Sequence, residues 1–576
     1  MLSIDTVVVL VMENRSFDHM LGRRPGVNGI LDGQGNLKPN CFNIDASTNQ
    51  QIMAGAAGSF VIPKIDINRQ GFGGPSHSFP GCAKQLYGAK TVITPAVTSA
   101  APSLAGYVDS YRTELHKSSI TLQELSEPMS TFTPDELPAM NALADNFMVC
   151  DNWFSEVPGP TQPNRLFLHA GTAQGFAHNV WKQPFTMPTI YELLEAKGKT
   201  WAFYYHDLSD SDSFPALKKR VDRVLAFDQF AEHASAGTLP NYSFLCPRYA
   251  DKAGQFANSQ HAPYDVRNGD ALIGQVYNAL RSSPQWGSSL LIITYDEGGG
   301  YYDHAVPPYL NVTPPDQYTS PTAYDKQLAS KGTRNAYLLK PDMEFGFDRL
   351  GQRVPAIIVS PFAPKTPCQV ALQHTSIFAT MRDIFGIGSL TKRDARAASF
   401  YTCLLQTARS DLPISVPVYG VDTPTPQTMA LPPTEMQTEK FPQLANLDGH
   451  ADSGTVPTVP PTRQRLADYI DERRRAHNAF HAHQVTQKVD ADEHGQFRWH
   501  LMNKTGDVLQ SSHPYLEQTD AEAAGRRIMK AKRPAAAKTM APAPAPAAVV
   551  AKKATPAKKS QAKAKAAPGK KRSGSK

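Results

Sequence analysis

The stretch TVVVLVMENRSFDHMLG, Thr6 to Gly22, holds six apolar residues in a row, Val7 to Met12, and then stops on a carboxylate and an amide, Glu13 and Asn14. An apolar run of this length reads as a strand covered on both faces, as in a parallel sheet. Three further segments share that character: TWAFYYH (200–206), SLLIITY (289–295) and VPAIIVSPF (354–362). Between them lie helical patterns, TIYELLEAKG (189–198) and GDALIGQVYNALRSS (269–283). In the second of these, Ala271, Leu272, Val276, Ala279 and Leu280 recur on one face. Strands alternating with helices predict an α/β sandwich with a central, mostly parallel sheet; the competing expectation is an α+β fold.

Ligands of such sheets bind beyond the carboxyl ends of the strands. Glu13 and Asn14 stand at one such end. The same grammar recurs at SLLIITYDEGGGYYDH, where Asp296 and Glu297 follow the strand and three glycines allow a tight turn. Two strands ending in Glu-Asn and Asp-Glu offer four oxygen donors, the chemistry of one hard divalent cation. Each pair alone is also compatible with an ordinary solvated loop. A third element, SEVPGPTQPNRLFLHAGTAQG, puts Thr161 between prolines at the start of a predicted helix. A hydroxyl there meets the positive helix end and free N–H groups, a setting for phosphate. The plainer reading is a helix N-cap.

Of the 59 Lys and Arg residues, 14 lie from Lys530 onward, where there is no Asp or Glu; the other 45 face 52 acidic residues. Basicity is therefore a property of the tail, and the body is acidic. The chain is expected to divide into a catalytic domain (1–411), a Pro/Thr-rich linker (412–465), a charged helix with a small strand–strand–helix unit (466–529) and a disordered Lys/Ala/Pro tail (530–576). In the small unit, Phe497, Trp499 and Leu501 alternate with polar residues ahead of an NKTGD turn, and Thr519 with Glu522 forms a capping box for the closing helix. The six cysteines are irregularly spaced and contain no CxxC, so they are expected to be mostly free, with one pair if the protein is exported. Val7 to Met12 is too short to span a membrane, and it lacks the basic flank of a signal peptide. The sequence as it stands reads as cytoplasmic, with leaderless export or a longer start left open.

MENRSFDHMLG, VCDNWFSEVPGPTQPNRLF, YDEGGGYYDHAVPP and RVPAIIVSPFA together resemble the bacterial phosphoesterase family, over roughly residues 4–410. That family contains phosphatidylcholine-type phospholipases C and an acid phosphatase, within the alkaline-phosphatase-like fold group. The resemblance implies one divalent metal ion held by Glu13, Asn14, Asp296 and Glu297. It implies Thr161 as a nucleophile that forms a phosphothreonine intermediate. It also suggests His77, His206 and His261 as substrate-contacting histidines, with His206 or His261 protonating the leaving group; His304 and His374 lie in similar motifs. The implied substrate is a phospholipid diester, and the alternative is a small phosphate monoester, as for an acid phosphatase. No sulfatase modification motif is present. A different class of role is non-specific binding of polyanions or anionic membrane through residues 530–576.

Overall fold

The computed structural model describes residues 2–58, 74–88, 101–115, 120–179, 185–250, 255–315 and 345–418, together with strands 485–491, 497–503 and 508–511. Seven strands make the central sheet: β1 (Thr6–Met12), β2 (Met148–Val149), β3 (Trp201–Tyr205), β4 (Val224–Ala226), β5 (Tyr242–Cys246), β6 (Ser289–Tyr295) and β7 (Ala356–Val359). Their order is β2-β7-β6-β1-β5-β3-β4. From β6 to β4 every pairing is parallel, whereas β7 and β2 are joined by antiparallel pairings.

The central pair explains the apolar runs. All seven residues of β1 and all seven of β6 are buried. Each fully buried Val, Leu or Ile contributes about 2 kcal/mol of hydrophobic stabilisation, and a strand flanked on both faces needs such residues at every position. Helices flank this sheet. Those that matter below are α1 (Phe17–Leu21), α2 (Phe79–Tyr87), α3 (Pro138–Asn146), α4 (Thr161–Ala170), α5 (Val266–Arg281) and α6 (Ser376–Phe385). The expected 269–283 helix begins earlier, at Val266, because Asp265 caps it by accepting the Arg267 N–H. The 189–198 helix spans Ile190–Ala196 and starts on a Thr189–Glu192 capping box.

The four apolar segments are all strands, and the fold class is the mostly parallel α/β sandwich the pattern predicts. Three strands carried no signal strong enough to read. The β2 and β4 strands are only two and three residues long, and β5 follows Pro240 and carries Ser243 in its interior. The segment after residue 411 does not leave the domain at once: Pro413 O accepts from Tyr277 Oη at 2.6 Å and Arg281 Nε at 3.0 Å, and Val416 exchanges bonds with Asn278. Near the C-terminus, Val485–Ala491, Phe497–Asn503 and Val508–Ser511 form an antiparallel three-stranded sheet. It includes the two strands expected around NKTGD, preceded by one more. The charged helix, the Thr519–Glu522 helix, most of the linker and the tail lie outside the described residues. All six cysteines are free; Cys368 Sγ lies 2.9 Å from Cys403 Sγ. Among the described residues no helix is long and apolar enough to cross a membrane.

One buried acid ties α5 to α3. Asp270 accepts the Ala139 and Met140 N–H groups at 2.9 Å each, which satisfies two of the donors that a helix N-terminus leaves without intrahelical partners. Burial outweighs these bonds and pushes the carboxyl up to about 6. Between about pH 4 and pH 6 the native state therefore keeps a proton that the unfolded chain has lost, so stability falls as pH rises through that window. The expected size is about 3 kcal/mol. In urea unfolding at pH 4, 5 and 6, the stability of the native sequence relative to Asp270→Asn should fall by about 2 kcal/mol from pH 4 to pH 6.

Candidate active site

The register of the central pair places the two acidic motifs side by side. β1 and β6 pair from Thr6↔Ser289 to Met12↔Tyr295, so Glu13 and Asp296 are equivalent positions one step past the last pair. The Asp296 N–H donates to Met12 O, and the Asn14 N–H donates to Asp296 Oδ1 at 3.0 Å. Asn14 itself has φ 57°, in the left-handed region where asparagine is among the few tolerated side chains. This turn carries its side chain to Thr161, whose Oγ1 donates to Asn14 Oδ1 at 3.3 Å.

Thr161 is the first residue of α4, and Pro160 occupies the cap position, so the hydroxyl is not spent on capping. The preceding turn is held by Asn164. Its Oδ1 accepts the Val157 N–H, and its Nδ2 donates to the carbonyls of Val157, Gly159 and Pro160 at 3.0–3.1 Å. One side chain thus fixes the VPGP loop that delivers Thr161.

Glu13, Asn14, Thr161, Asp296 and Glu297 are all buried, the most open being Thr161 at 6 %. Arg165, one turn after Thr161, stands among the carboxylates. Its Nε donates to Asp296 Oδ2 at 3.1 Å, one terminal nitrogen lies 3.5 Å from Glu13 Oε1, and the other pairs with Asp210 at 3.0 Å. Burial raises the Asp296 carboxyl, with Arg165 opposing. Burial, then repulsion from Asp296 and Glu13, holds Glu297 well above the usual carboxylate range. Glu297 Oε2 accepts the Gly299 N–H, while the buried Oε1 has no hydrogen-bond partner among the described residues.

Two predicted histidines meet at this edge. The rings of His77 and His261 pack edge to face with centroids 5.3 Å apart. His261 arrives on a segment whose Ser259 O accepts the Glu13 N–H and whose Gln260 O accepts from Arg15 Nε. His206 follows β3, on the same edge of the sheet but two strands from β1, about 10 Å to the side. Its ring stacks on Phe227 at 3.8 Å and its Nδ1 faces Cys246 O; among the described residues it touches none of the acidic group. His374 lies behind the site: Trp153 Nε1 donates to its Nδ1, and its Nε2 donates to the Asp296 carbonyl at 2.7 Å. Burial lowers it to about 4, which keeps it neutral and able to make both bonds.

His304 belongs to a different cluster. It shares Asp18 with Arg353, which also pairs with Asp303. The ligand atoms of Asp18, Asp303 and His304 lie within 4.8 Å of one another, close enough to hold a metal ion. Here, however, the guanidinium of Arg353 already occupies the anionic centre, donating as well to Asn28 O and Asp151 O. The residues that motif reading missed are Arg165 and Asp210. Arg165 lies inside a quoted motif, four residues after Thr161, and that helical spacing is the one signal that could have found it. Asp210, in a Ser/Asp loop, gives none.

A mostly parallel sheet whose central strands end in three carboxylates and an amide, beside a helix-borne hydroxyl, accords with a phosphoester-hydrolysing enzyme, the class that the family match and the relatives establish. The chain belongs to the Phosphoesterase family, whose profile matches residues 4–388. It is 35% identical over 450 residues to non-specific phospholipase C6 of Arabidopsis thaliana, covering 72% of this chain and 75% of that protein. It is 33% identical over 520 residues to non-specific phospholipase C3 of the same plant, covering 85% and 91%. Among solved structures, a protein in the alkaline phosphatase superfamily from Vibrio parahaemolyticus is 12% identical, with a TM-score of 0.29 over 46% of this chain and 63% of that one.

The glycine turn is the most exacting local feature. Gly299 has φ +63°, and a Cβ there would overlap the Asn14 carbonyl oxygen. Gly299→Ala should push Asn14 away from Thr161 and lower kcat about a hundredfold while the far-ultraviolet dichroism stays native. Gly33, an open position with nothing near its Cβ, serves as the neutral control on the same phosphoester assay.

Proposed function

We propose that the protein is a metal-dependent phospholipase C-type enzyme in which Thr161 is the nucleophile. The observation that carries this reading is the hydrogen bond from Thr161 to Asn14, formed beside three buried carboxylates. The relatives' name, non-specific phospholipase C, supplies the substrate class.

The donor set suits a hard cation: Glu13, Asn14, Asp296 and Glu297 offer oxygen alone. The buried Glu297 Oε1, which has no hydrogen-bond partner among the described residues, supports the fit, because a buried carboxylate oxygen that no protein group satisfies is strongly disfavoured. When bound, the cation supplies Lewis acidity that stabilises the threonine alkoxide and draws charge from the phosphoryl oxygens. The neutral Asn14 keeps one fewer negative charge facing a phosphate ester.

The Thr161 hydroxyl gives its proton to solvent, and its Oγ bonds to phosphorus in line as the bond to the glycerol oxygen breaks, giving a phosphothreonine; the same oxygen takes a proton back from solvent when it later leaves. A protonated imidazole gives its proton to the departing diacylglycerol oxygen. Water then bonds to phosphorus, its proton returns to the imidazole, and Thr161 leaves as the phosphorylated head group departs. We assign the imidazole to His261, with His77 beside it, rather than to His206, because the His261 segment is hydrogen-bonded to Glu13.

Thr161→Ala and Asp296→Asn should each lower kcat on p-nitrophenylphosphorylcholine by about a thousandfold or more while leaving the fold intact. The native enzyme should turn over this diester faster than p-nitrophenyl phosphate. Full turnover by both variants would sink the mechanism, and a strong preference for the monoester would sink the substrate class.

A further inference from the structure

The geometry assigns a role to Asp210, a residue of the loop after β3: it is a positioning residue that draws the charge of Arg165 away from the cation-facing carboxylates. This rests on the reading of Glu13, Asn14, Asp296 and Glu297 as the cation site. Arg165 presents a planar fork with donors in three directions. Nε turns to Asp296, one terminal nitrogen to Glu13 and to the carbonyls of Val11 and Met12, and the other to Asp210. Its cation also lies over the Tyr249 ring, 5.2 Å from the centroid.

Asp210 is built to remain an anion. Its Oδ2 accepts from Arg165 and from His169 Nε2, both at 3.0 Å, and its Oδ1 accepts from Tyr249 Oη at 3.3 Å. Because a carboxylate oxygen can only accept, Nε2 is the nitrogen that carries the proton toward Asp210, and the neutral tautomer then accepts from the Tyr191 hydroxyl at Nδ1, 3.0 Å away. Burial alone would raise the Asp210 carboxyl, but Arg165 and His169 hold it well below the carboxylate range. Thr161, Arg165 and His169 occur at successive four-residue steps of α4, so one helix face carries the hydroxyl, the guanidinium and the donor that orients Asp210.

The consequence is electrostatic. A full positive charge 3 to 4 Å from Asp296 and Glu13 competes directly with a divalent cation for the same oxygens. A second carboxylate on the far side of the guanidinium shares that charge and fixes the fork, so Asp296 is oriented without being neutralised. A neutral residue at position 210 would leave Arg165 to pair fully with the site acids.

The test titrates the intact enzyme with MnCl2 and counts free Mn2+ by electron paramagnetic resonance, with p-nitrophenylphosphorylcholine turnover measured in parallel. Asp210→Asn should weaken Mn2+ binding about tenfold, and turnover should recover as Mn2+ is raised. In an Arg165→Met background the same substitution should change the constant by less than about twofold, because the charge it redirects is gone. A merely structural role for Asp210 would lower stability in both backgrounds and show no such coupling. If Asp210→Asn folds poorly, Arg165→Lys, which keeps the charge but loses the fork, should also weaken Mn2+ binding about tenfold. Mn2+ binding unchanged in a folded Asp210→Asn, or in Arg165→Lys, overturns the proposal while the cation site stands. A native enzyme that binds no Mn2+ overturns the cation reading and this role together.

Discussion

Arg165 is one buried cation among four carboxylates, and the site depends on how its charge is divided. Moving three acids out of water at one sheet edge is strongly unfavourable unless something compensates. A full counter-charge for each acid would make a stable ion-pair network with no capacity left for a ligand. Arg165 compensates partially: it reaches Asp296 and Glu13, is itself shared with Asp210, and leaves Glu297 Oε1 with no partner among the described residues. Glu297 carries the strain of this arrangement as a carboxyl held well above its usual range by burial and by its acidic neighbours.

The contrast with the cluster around Arg353 makes the same point from the other side. Asp18, Asp303 and His304 sit as close together as metal ligands, yet Arg353 donates to both acids and to two carbonyls, and its guanidinium lies 4.2 Å from the centre of the Phe17 ring. That network ties β1's exit helix α1 to the loops after β6 and before β7. Fully satisfied polar networks rigidify, whereas a buried polar group left unsatisfied calls for an explanation such as a catalytic role or an ion. By this criterion the β1 and β6 ends, with Glu13, Asn14, Asp296 and Glu297, are the candidate site, and the Asp18 cluster braces the turn that presents Glu13 and Asn14.

The sequence was legible where one physical requirement acts on consecutive residues. Two-sided burial forces apolar residues at every step, so β1, β3, β6 and β7 were readable, as was the convergence of the β1 and β6 ends. β5 was not, because its short run is interrupted by Ser243, and the two- and three-residue edge strands have too few positions to make a pattern. Thr161 was readable as a helix start, but whether its hydroxyl capped the helix or faced the site depended on Pro160 taking the cap position, which only the fold decides. Partners distant in sequence were the least accessible. Arg165 was visible as part of a motif but not as the counter-charge of Asp296, 131 residues away. Asp210 read as one more acid in a polar turn. His206 lies at the correct edge of the sheet, but sheet order, with β5 interposed between β3 and β1, carries it away from the acidic group.

Asn14 shows how many constraints meet in one residue. Its backbone must take φ 57°, which disfavours most side chains with a Cβ and excludes β-branched ones most strongly. Its N–H must hold Asp296, and its carbonyl leaves room for nothing but glycine at position 299. Its side chain must accept from Thr161 without adding charge to a group already short of cations. Glycine would satisfy the backbone and lose the contact to Thr161. Aspartate would tolerate the backbone but bring a fourth negative charge beside Glu13, Asp296 and Glu297. Asparagine meets all of these conditions, which answers why an apolar strand ends on a carboxylate followed by an amide: the first binds charge, and the second turns the chain and holds the hydroxyl at no electrostatic penalty.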